Sequence, residues 1–275
     1  MPCDVDAAVI ANTRLSDYYS VLALAAPEIA GLARPGQFVM VKATPGADPL
    51  LRRPFSIFEI LRDAAGAPTG VSLLNKRIGA ATSLLYDVEP GAHVRCLGPL
   101  GRPFEPADPP TRAWMIAGGV GLAPFLTLAE ALAARRTPAT LFYGARRASE
   151  LYYTQTFAQL GVEIELSTED GSRGTRGYVT APLERALRSL PPGERVHLYV
   201  CGPTPMMRAV AALALTYGQA CDVSLEQVMG CGLGGCYSCV VLTRQHPGAT
   251  PHFVRSCLDG PVFDADRIVW EALTH

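Results

Sequence analysis

The hydrophobic pattern of the chain changes once, at a proline-rich stretch from Pro103 to Pro110, and this change constrains the fold most. Before the stretch, short apolar runs alternate with glycine and proline turns, which is typical of a small antiparallel β-barrel. After it, apolar strands alternate with helices, the pattern of a doubly wound parallel α/β domain. A chain of 275 residues has room for both domains, with the proline-rich stretch as their linker.

The barrel region predicts short strands interrupted by one helix, which runs from about Ala80 to Leu85. Each strand is bounded by the turn residues that end regular structure. The predicted strands are Tyr18–Ala25, Phe38–Lys42, Phe55–Leu61, Val71–Leu74 and His93–Leu97.

The second region predicts strands that are each followed by a helix, and this alternation ends at Tyr217. The tail from about Gln219 is rich in cysteine and glycine, and it predicts a hairpin that pairs Cys239–Thr243 with Phe253–Arg255. We therefore predict three domains, at residues 1–108, 109–218 and 219–275. The predicted strands and helices of the second region are Ala113–Ala117, Ala123–Arg135, Ala139–Tyr143, Tyr152–Leu160, Val162–Ser167, Ala181–Ser189, Val196–Cys201 and Pro205–Tyr217.

Composition argues against two classes of protein. A formal net charge of −1 disfavours nucleic-acid binding, because neutralising phosphates requires a basic surface. The apolar segment Ala113–Ala134 is long enough to span a bilayer, but its glycines and Pro124 suit a strand, a turn and a new helix better. We therefore expect no membrane span. The start of the sequence lacks the basic and apolar pattern of a secretory signal, so we expect a cytoplasmic protein.

Four of the eight cysteines lie close together near the end of the chain, in the spacing C-x4-C-x2-C with a fourth further on. This is the plant-type spacing of [2Fe–2S] ligands. The glycines between them suit a loop that wraps closely around a cluster and donates amides to its sulfurs. Structural zinc is the alternative, although zinc sites generally use two C-x2-C pairs. The expected metal ligands are Cys231, Cys236, Cys239 and Cys257.

Two segments of the barrel region are candidates for flavin binding. In Arg52–Ile57, an arginine suits a pyrophosphate, an aromatic side chain suits a ring, and a serine suits a ring nitrogen. In Gly79–Ser83, small residues at a helix start suit phosphate oxygens. An ordinary strand start and an ordinary helix cap are the respective alternatives.

Two loops of the second region are candidates for pyridine-nucleotide binding. Gly118–Pro124 follows a strand and opens a helix, although it is not the Rossmann G-x-G-x-x-G fingerprint. Cys201–Pro203 ends the last predicted strand, where α/β sheets bind ligands, so Cys201 is a candidate nicotinamide neighbour. A tight turn and a buried thiol without any ligand are the alternatives.

Charged residues give opposite indications about the dinucleotide. Arg146 and Arg147 follow one predicted strand and suit the 2′-phosphate of NADP. Asp170 follows the next strand and suits the free ribose of NAD. The residues by themselves leave both dinucleotides open.

Taken in order, these segments resemble the electron-transfer subunits of NAD-linked, type B dihydroorotate dehydrogenase, a family of ferredoxin-reductase-like flavoproteins. The resemblance covers nearly the whole chain, and the cysteine loop and Cys257–Phe263 are its most specific parts. The other matching segments are Leu51–Ile57, Leu97–Gly101, Gly118–Pro124, Glu169–Ser172, Cys201–Pro203 and Ser224–Glu226.

The resemblance implies that FAD, a [2Fe–2S] cluster and NAD act in one electron path. Members of the family pass electrons from a flavin-bearing catalytic partner through the cluster to FAD, and then as hydride to NAD⁺. The implied partner is an FMN-containing dihydroorotate dehydrogenase catalytic subunit in a heterotetramer with two of each subunit, serving pyrimidine synthesis. A related ferredoxin-, sulfide- or hydrogenase-linked NAD(P) oxidoreductase subunit is the alternative function.

The resemblance also implies FAD contacts, with Ala81 standing where the family usually has glycine. The implied FAD contacts are Arg53, Pro54, Phe55, Ser56, Leu74, Asn75, Lys76, Ala81 and Thr82. The expected dinucleotide contacts, taken from the loops above, are Gly118, Gly119, Gly121, Pro124, Asp170, Cys201, Gly202 and Pro203.

Overall fold

The computed structural model describes residues 1–44, 46, 48–246 and 248–273. Two seven-stranded sheets and one separate hairpin make up its framework. The last two residues of the predicted third domain, Thr274 and His275, lie outside the described residues. Within the described ranges, none of the helices combines the length and the apolar character that crossing a bilayer requires.

The first sheet is antiparallel and comes from the N-terminal part of the chain. Its strands are β1 (Cys3–Arg14), β2 (Tyr19–Ala25), β3 (Phe38–Lys42), β4 (Arg53–Ser56), β5 (Glu59–Arg62), β6 (Pro68–Lys76) and β7 (His93–Leu100). They follow the order β4-β3-β7-β1-β2-β6-β5, so β4 and β5 are the two edges. Only Ile57 and Phe58 separate these edge strands in sequence, and so short a connection requires the sheet to curl into a half-barrel.

The half-barrel differs from the prediction in two strands. Strand β1 was not predicted, because the charged residues Asp4 and Asp6 alternate with its first apolar positions and leave no continuous apolar run there. The predicted strand Phe55–Leu61 is two strands, since the chain crosses from one sheet edge to the other at the buried residues Ile57 and Phe58. The helices of this part are α1 (Pro27–Ala30) and α2 (Ala80–Asp87), and α2 matches the predicted helix.

The second sheet is mostly parallel. Its strands are β8 (Arg112–Gly118), β9 (Ala139–Ala145), β10 (Glu163–Thr168), β11 (Thr175–Arg176), β12 (Val196–Cys201), β13 (Ala220–Ser224) and β16 (Val262–Asp264). In the order β11-β10-β9-β8-β12-β13-β16, the chain moves outward from β8 on one side and then returns to the other side at β12. The carboxyl ends of β8 and β12 therefore flank the topological switch point, where such sheets bind ligands.

Helices cover both faces of this sheet, as the doubly wound prediction requires. They are α3 (Phe125–Ala134), α4 (Thr154–Gln159), α5 (Thr180–Arg188) and α6 (Thr204–Thr216). Phe125 and Phe157 bring α3 and α4 into one buried core, whereas Leu183 and Met207 bring α5 and α6 into the core on the other face. The predicted fold class is confirmed.

The C-terminal part corrects one expectation. The strand–helix alternation does not end at Tyr217, because β13 follows α6 and pairs in parallel with β12. Beyond it come the remaining elements, β14 (Val240–Thr243), β15 (His252–Arg255) and α7 (Ser256–Asp259). The strands β14 and β15 form the predicted hairpin, and β16 then returns to pair antiparallel with β13. The three domain boundaries stay a prediction.

Candidate functional site

A cleft of about 580 Å³ lies between the half-barrel and the carboxyl edge of the parallel sheet. One wall comes from β4, β6 and the start of α2, and the other comes from the segments that follow β8 and β13. The structure brings most of the predicted FAD residues together here. Those that line the cleft are Arg53, Pro54, Phe55, Ser56, Leu74, Lys76, Ala81 and Thr82.

Asn75 is the one implied FAD residue that does not line the cleft. It is fully buried, and its Nδ2 donates a hydrogen bond of 3.0 Å to the carbonyl oxygen of Thr82. This bond ties β6 to α2. Asn75 therefore holds the helix start in place behind the cleft.

The start of α2 suits a phosphate group. The Oγ1 atom of Thr82 accepts hydrogen bonds of 2.9 Å from the amides of Ile78 and Gly79, which fixes the first turn. The first backbone bond of the helix is donated by Ser83, so the amides of Ala80, Ala81 and Thr82 remain to bind an anion. A Cβ on Gly79 would meet open space, so a ligand has room at this position.

The two adjacent arginines of the flavin segment have different surroundings. Arg52 is paired with Asp4 at 2.9 Å, on the side of β1. Arg53 lines the cleft, where its Nη1 donates to the carbonyl oxygen of Leu51 at 2.9 Å. Arg53 is therefore the arginine that is available to a pyrophosphate, as the resemblance implies.

The segment after β13 forms the wall that sequence reasoning missed. Leu225 and Met229 are buried, while the side chains of Glu226 and Val228 open into the cleft. Burial by the surrounding protein raises the pKa of Glu226, and the positive charge of Lys76 on the facing wall partly offsets that rise. The family match of Ser224–Glu226 was the signal that could have found this wall.

The two nucleotide loops meet at the switch point. A Cβ on Gly121 would lie 2.2 Å from the carbonyl oxygen of Cys201, and a Cβ on Gly118 would lie 2.8 Å from the ring Cδ of Pro203. Gly202 has a φ of +151°, and a Cβ there would lie 3.0 Å from the amide nitrogen of Gly118. The fold thus requires these glycines for contact between the loops, whether or not a dinucleotide is bound.

The remaining residues of these loops lie beside the same junction. A 3₁₀ turn, Gly119–Leu122, continues from β8, and Pro124 follows it immediately before α3. Gly119 has a φ of +56° and faces the hydroxyl of Tyr19 on β2. Pro203 immediately precedes α6. The loops are therefore placed at helix starts, where dinucleotides bind.

Cys201 is buried at the end of β12, opposite Ala117 on β8 and Ser224 on β13. Burial first, and the charge of Glu226 next, raise the pKa of its thiol well above the usual range. The thiol is therefore neutral at physiological pH. It can pack beside a ring but does not act as an anion.

Asp170 lies outside the cleft, in the loop after β10. Its carboxylate accepts hydrogen bonds from the hydroxyl of Ser172 at 2.6 Å and from the amide of Ser172 at 2.9 Å, and these lower its pKa. Ser172 also accepts a bond of 2.8 Å from the amide of Ala148. The acidic loop is thus joined to the loop that carries Arg146 and Arg147.

The four expected cluster ligands converge in two pairs of free thiols. Cys231 lies within hydrogen-bonding reach of Cys236, and Cys239 lies within such reach of Cys257. Burial and the adjacent thiol of Cys239 raise the pKa of Cys257 to about 12. Two pairs of thiolates suit two irons. Across the described ranges, no three such side chains are grouped as a single metal ion would need.

The cysteine loop packs directly against the half-barrel. A small buried core joins it to β3 and β7 through Phe38, Met40, Leu100, Met229, Cys239 and Cys257. Phe38 and Met229 also line the cleft. The candidate cluster site and the candidate flavin site therefore share a wall.

Comparison with known proteins agrees with this geometry. Residues 115–212 match the family described as oxidoreductase NAD-binding domain, and residues 226–269 match the iron–sulfur cluster binding domain of dihydroorotate dehydrogenase B. The chain is 38% identical over 267 residues to the dihydroorotate dehydrogenase B (NAD⁺) electron transfer subunit of Desulforamulus reducens, covering 97% of this chain and 98% of that one. It is 39% identical over 240 residues to the corresponding subunit of Geobacillus kaustophilus, covering 86% and 88%.

The chain belongs to the family of dihydroorotate dehydrogenase B electron transfer subunits. A solved NADH-dependent reduced ferredoxin–NADP oxidoreductase shares the fold, with a TM-score of 0.84, 24% identity, and coverage of 98% of this chain and 91% of that one. Membership makes this chain part of an oxidoreductase. It also supports FAD, NAD and an iron–sulfur cluster as its cofactors.

Proposed function

We propose that this chain carries electrons from a dihydroorotate-oxidising partner subunit to NAD⁺, in pyrimidine synthesis. The observation that carries the proposal is the shared wall between the cysteine loop and the cleft, formed by Phe38 and Met229. Electron transfer between two centres needs a short gap, and a shared wall provides one. A cluster supplies one-electron steps and a flavin converts them into hydride chemistry.

The residues of the cleft have separable roles in this proposal. Arg53 and the start of α2 bind the phosphates, because they offer a guanidinium and free backbone amides. Phe55 and Ser56 hold the ring system, one by packing and one by hydrogen bonding. The loops at Gly118–Gly121 and Cys201–Pro203 bind the dinucleotide at the switch point.

The cluster ligands in this proposal are Cys231, Cys236, Cys239 and Cys257. Leu233 and Tyr237 of the cysteine loop and Leu258 of α7 are exposed beside these ligands. An exposed apolar group beside a redox site is suited to docking a partner. We assign this surface to an FMN-containing catalytic subunit, with two copies of each subunit in the complex.

The proposal specifies NAD and a cytoplasmic location. Asp170 is held charged by Ser172, which suits the hydroxyls of a free ribose. Arg146 and Arg147, in the loop joined to that of Asp170, would instead suit the 2′-phosphate of NADP. Comparable oxidation of NADPH and NADH would therefore contradict the choice of NAD. The cytoplasm fits because clustered thiols stay reduced there.

Co-purification tests the proposal. A tagged full chain, expressed in its own organism, should retain FAD, iron and acid-labile sulfide, and should bring an FMN-containing protein with it. The complex should reduce NAD⁺ with dihydroorotate, whereas the isolated chain should not. A chain that contains zinc without iron, or a complex that oxidises sulfide or hydrogen but not dihydroorotate, would overturn the proposal.

A further inference from the structure

Glu226 is the acidic side chain that lines the cleft where the two candidate sites meet. It follows β13 and lies two residues beyond Ser224, whose register partner on β12 is Cys201. The same cleft is lined by Ser56 of β4 and by Val120 of the loop after β8. The carboxylate therefore lies beyond the carboxyl end of the parallel sheet, between the flavin wall and the nucleotide loops.

The charged and titratable groups around Glu226 come from four strands. Lys76 of β6 and Arg53 of β4 are the cations that line the cleft. Tyr19 of β2 and Cys201 of β12 also interact electrostatically with Glu226, since its negative charge contributes to raising the pKa of each. Within the part of the chain that the structure describes, Glu226 has only the longer-range attraction of Lys76 and no hydrogen bond from a side chain. Its carboxylate remains available to a bound molecule.

The charge of a nicotinamide ring determines how strongly this carboxylate would stabilise a bound dinucleotide. The oxidised ring carries a positive charge and the reduced ring is neutral, while the ribose and phosphate parts of the two dinucleotides are the same. A carboxylate beside the ring therefore stabilises one redox form and leaves the other nearly unaffected. Lys76 and Arg53, by contrast, suit the phosphates and a negatively charged reduced flavin.

We propose that Glu226 is a specificity-determining residue that makes the dinucleotide site prefer the oxidised, cationic nicotinamide ring over the reduced, neutral one. This inference rests on the proposed function. It gives the direction of that function a physical basis, because the substrate form binds more tightly and the product form leaves more easily.

Binding measurements on the full chain loaded with FAD and its cluster test this inference without turnover. The probes are NAD⁺ and 1,4,5,6-tetrahydro-NAD, whose neutral ring cannot donate hydride, and calorimetry gives both Kd values. We expect Glu226→Gln to weaken NAD⁺ binding by about threefold to fivefold, the scale of one partly exposed charge pair. Binding of tetrahydro-NAD should change by less than about twofold, because its ring carries no charge.

Glu184→Gln is the matched control. Glu184 lies on α5, pairs with Arg188 at 2.9 Å and does not line the cleft. It removes the same charge from the chain, so both Kd values should stay at their wild-type level. This control separates the local effect of Glu226 from a change in net charge.

The wild-type chain gives a second measurement that needs no variant. Burial raises the pKa of Glu226, so as the pH falls its carboxylate gains a proton before an ordinary glutamate would. NAD⁺ binding should weaken over that fall, while tetrahydro-NAD binding should not. If Glu226→Gln loses FAD, this pH series decides the question.

The outcomes distinguish the inference from the function beneath it. Equal changes in both Kd values, or no change in either, would overturn the role of Glu226 while leaving dinucleotide binding intact. Failure of the wild-type chain to bind either probe would instead overturn the proposed function, and the inference with it.

Discussion

Gly232 in the cysteine loop lies directly against Met40 of β3: a Cβ added to Gly232 would sit 2.5 Å from the Cγ atom of Met40. The backbone of Gly232 also has a φ of +74°, which other residues rarely adopt. Both constraints act at the contact that seats the loop on the half-barrel. Glycine at this position therefore sets how close the cluster ligands lie to the cleft.

Gly232→Ala should destabilise the chain and slow electron transfer from cluster to flavin. The left-handed backbone alone costs about 1–2 kcal/mol, and the clash with Met40 must also push the loop outward. The melting temperature of the cofactor-loaded chain and rapid-mixing kinetics would measure the two effects. Gly235→Ala is the control, because a Cβ there meets no atom within 4 Å. Similar losses in both variants would contradict the importance of this contact.

Thr82→Val should weaken FAD binding. The variant keeps the size of the side chain but removes the oxygen that accepts hydrogen bonds of 2.9 Å from the amides of Ile78 and Gly79. Loss of such a cap costs about 1 kcal/mol, which corresponds to roughly a fivefold higher Kd if the cap orders the phosphate site. Fluorescence titration with FAD measures this change. Ser83→Ala should leave the Kd unchanged, since the Ser83 hydroxyl makes only a 3.4 Å bond with Arg77.

Local patterns in the sequence were sufficient for several features. The apolar strand from Ala113 to Ala117 falls within β8, because a strand buried on both faces gives a continuous apolar run. The cysteine spacing was informative because three thiolates on one tight loop permit few geometries. Residues of both candidate flavin segments, Arg52–Ile57 and Gly79–Ser83, line the cleft, and each segment is a short strand or helix start whose geometry is set locally.

Features that depend on distant pairing could not be read in this way. The strand β13 looked like the start of an irregular tail, and only its pairing with β12 and β16 makes it part of the sheet. Glu226 faces the cleft because β13 ends where it does. The contact between Gly121 and Cys201 joins residues from two loops, and no sequence period reports that approach. These features arise from tertiary packing.

Asp264→Asn should stabilise the chain at neutral pH. Asp264 on β16 lies opposite Asp222 on β13, and burial first, then the charge of Asp222, raise its pKa. An acid with a raised pKa in the fold destabilises it when ionised, and Arg102 and Arg267 offset only part of this. Because the side chain is half exposed, the expected gain is about 0.5 kcal/mol.

The pH dependence of that gain follows from the sign of the shift. The difference between Asp264→Asn and wild type should be full above the raised pKa and should shrink as the pH falls through it, since the wild-type carboxyl is then neutral as well. Melting temperatures at about pH 8 and about pH 5 would measure the trend. Asp17→Asn, at an exposed site, should show no such trend. A gain that grows with acidity would contradict the repulsion between the two strands.

Leu233→Glu should abolish co-purification of the catalytic partner while leaving FAD and the cluster in place. Leu233 is 54% exposed on the cysteine loop, and a carboxylate placed there would have to lose its water when a partner covers it. Leu32→Glu is matched in chemistry and exposure, at 51%, but follows α1 on the half-barrel, so its complex should form normally. Pull-down yield, with flavin and iron content measured on the same samples, reports both effects. If the Leu233 variant keeps its partner, the docking surface lies elsewhere, whereas loss of iron together with the partner would place Leu233 in the support of the loop.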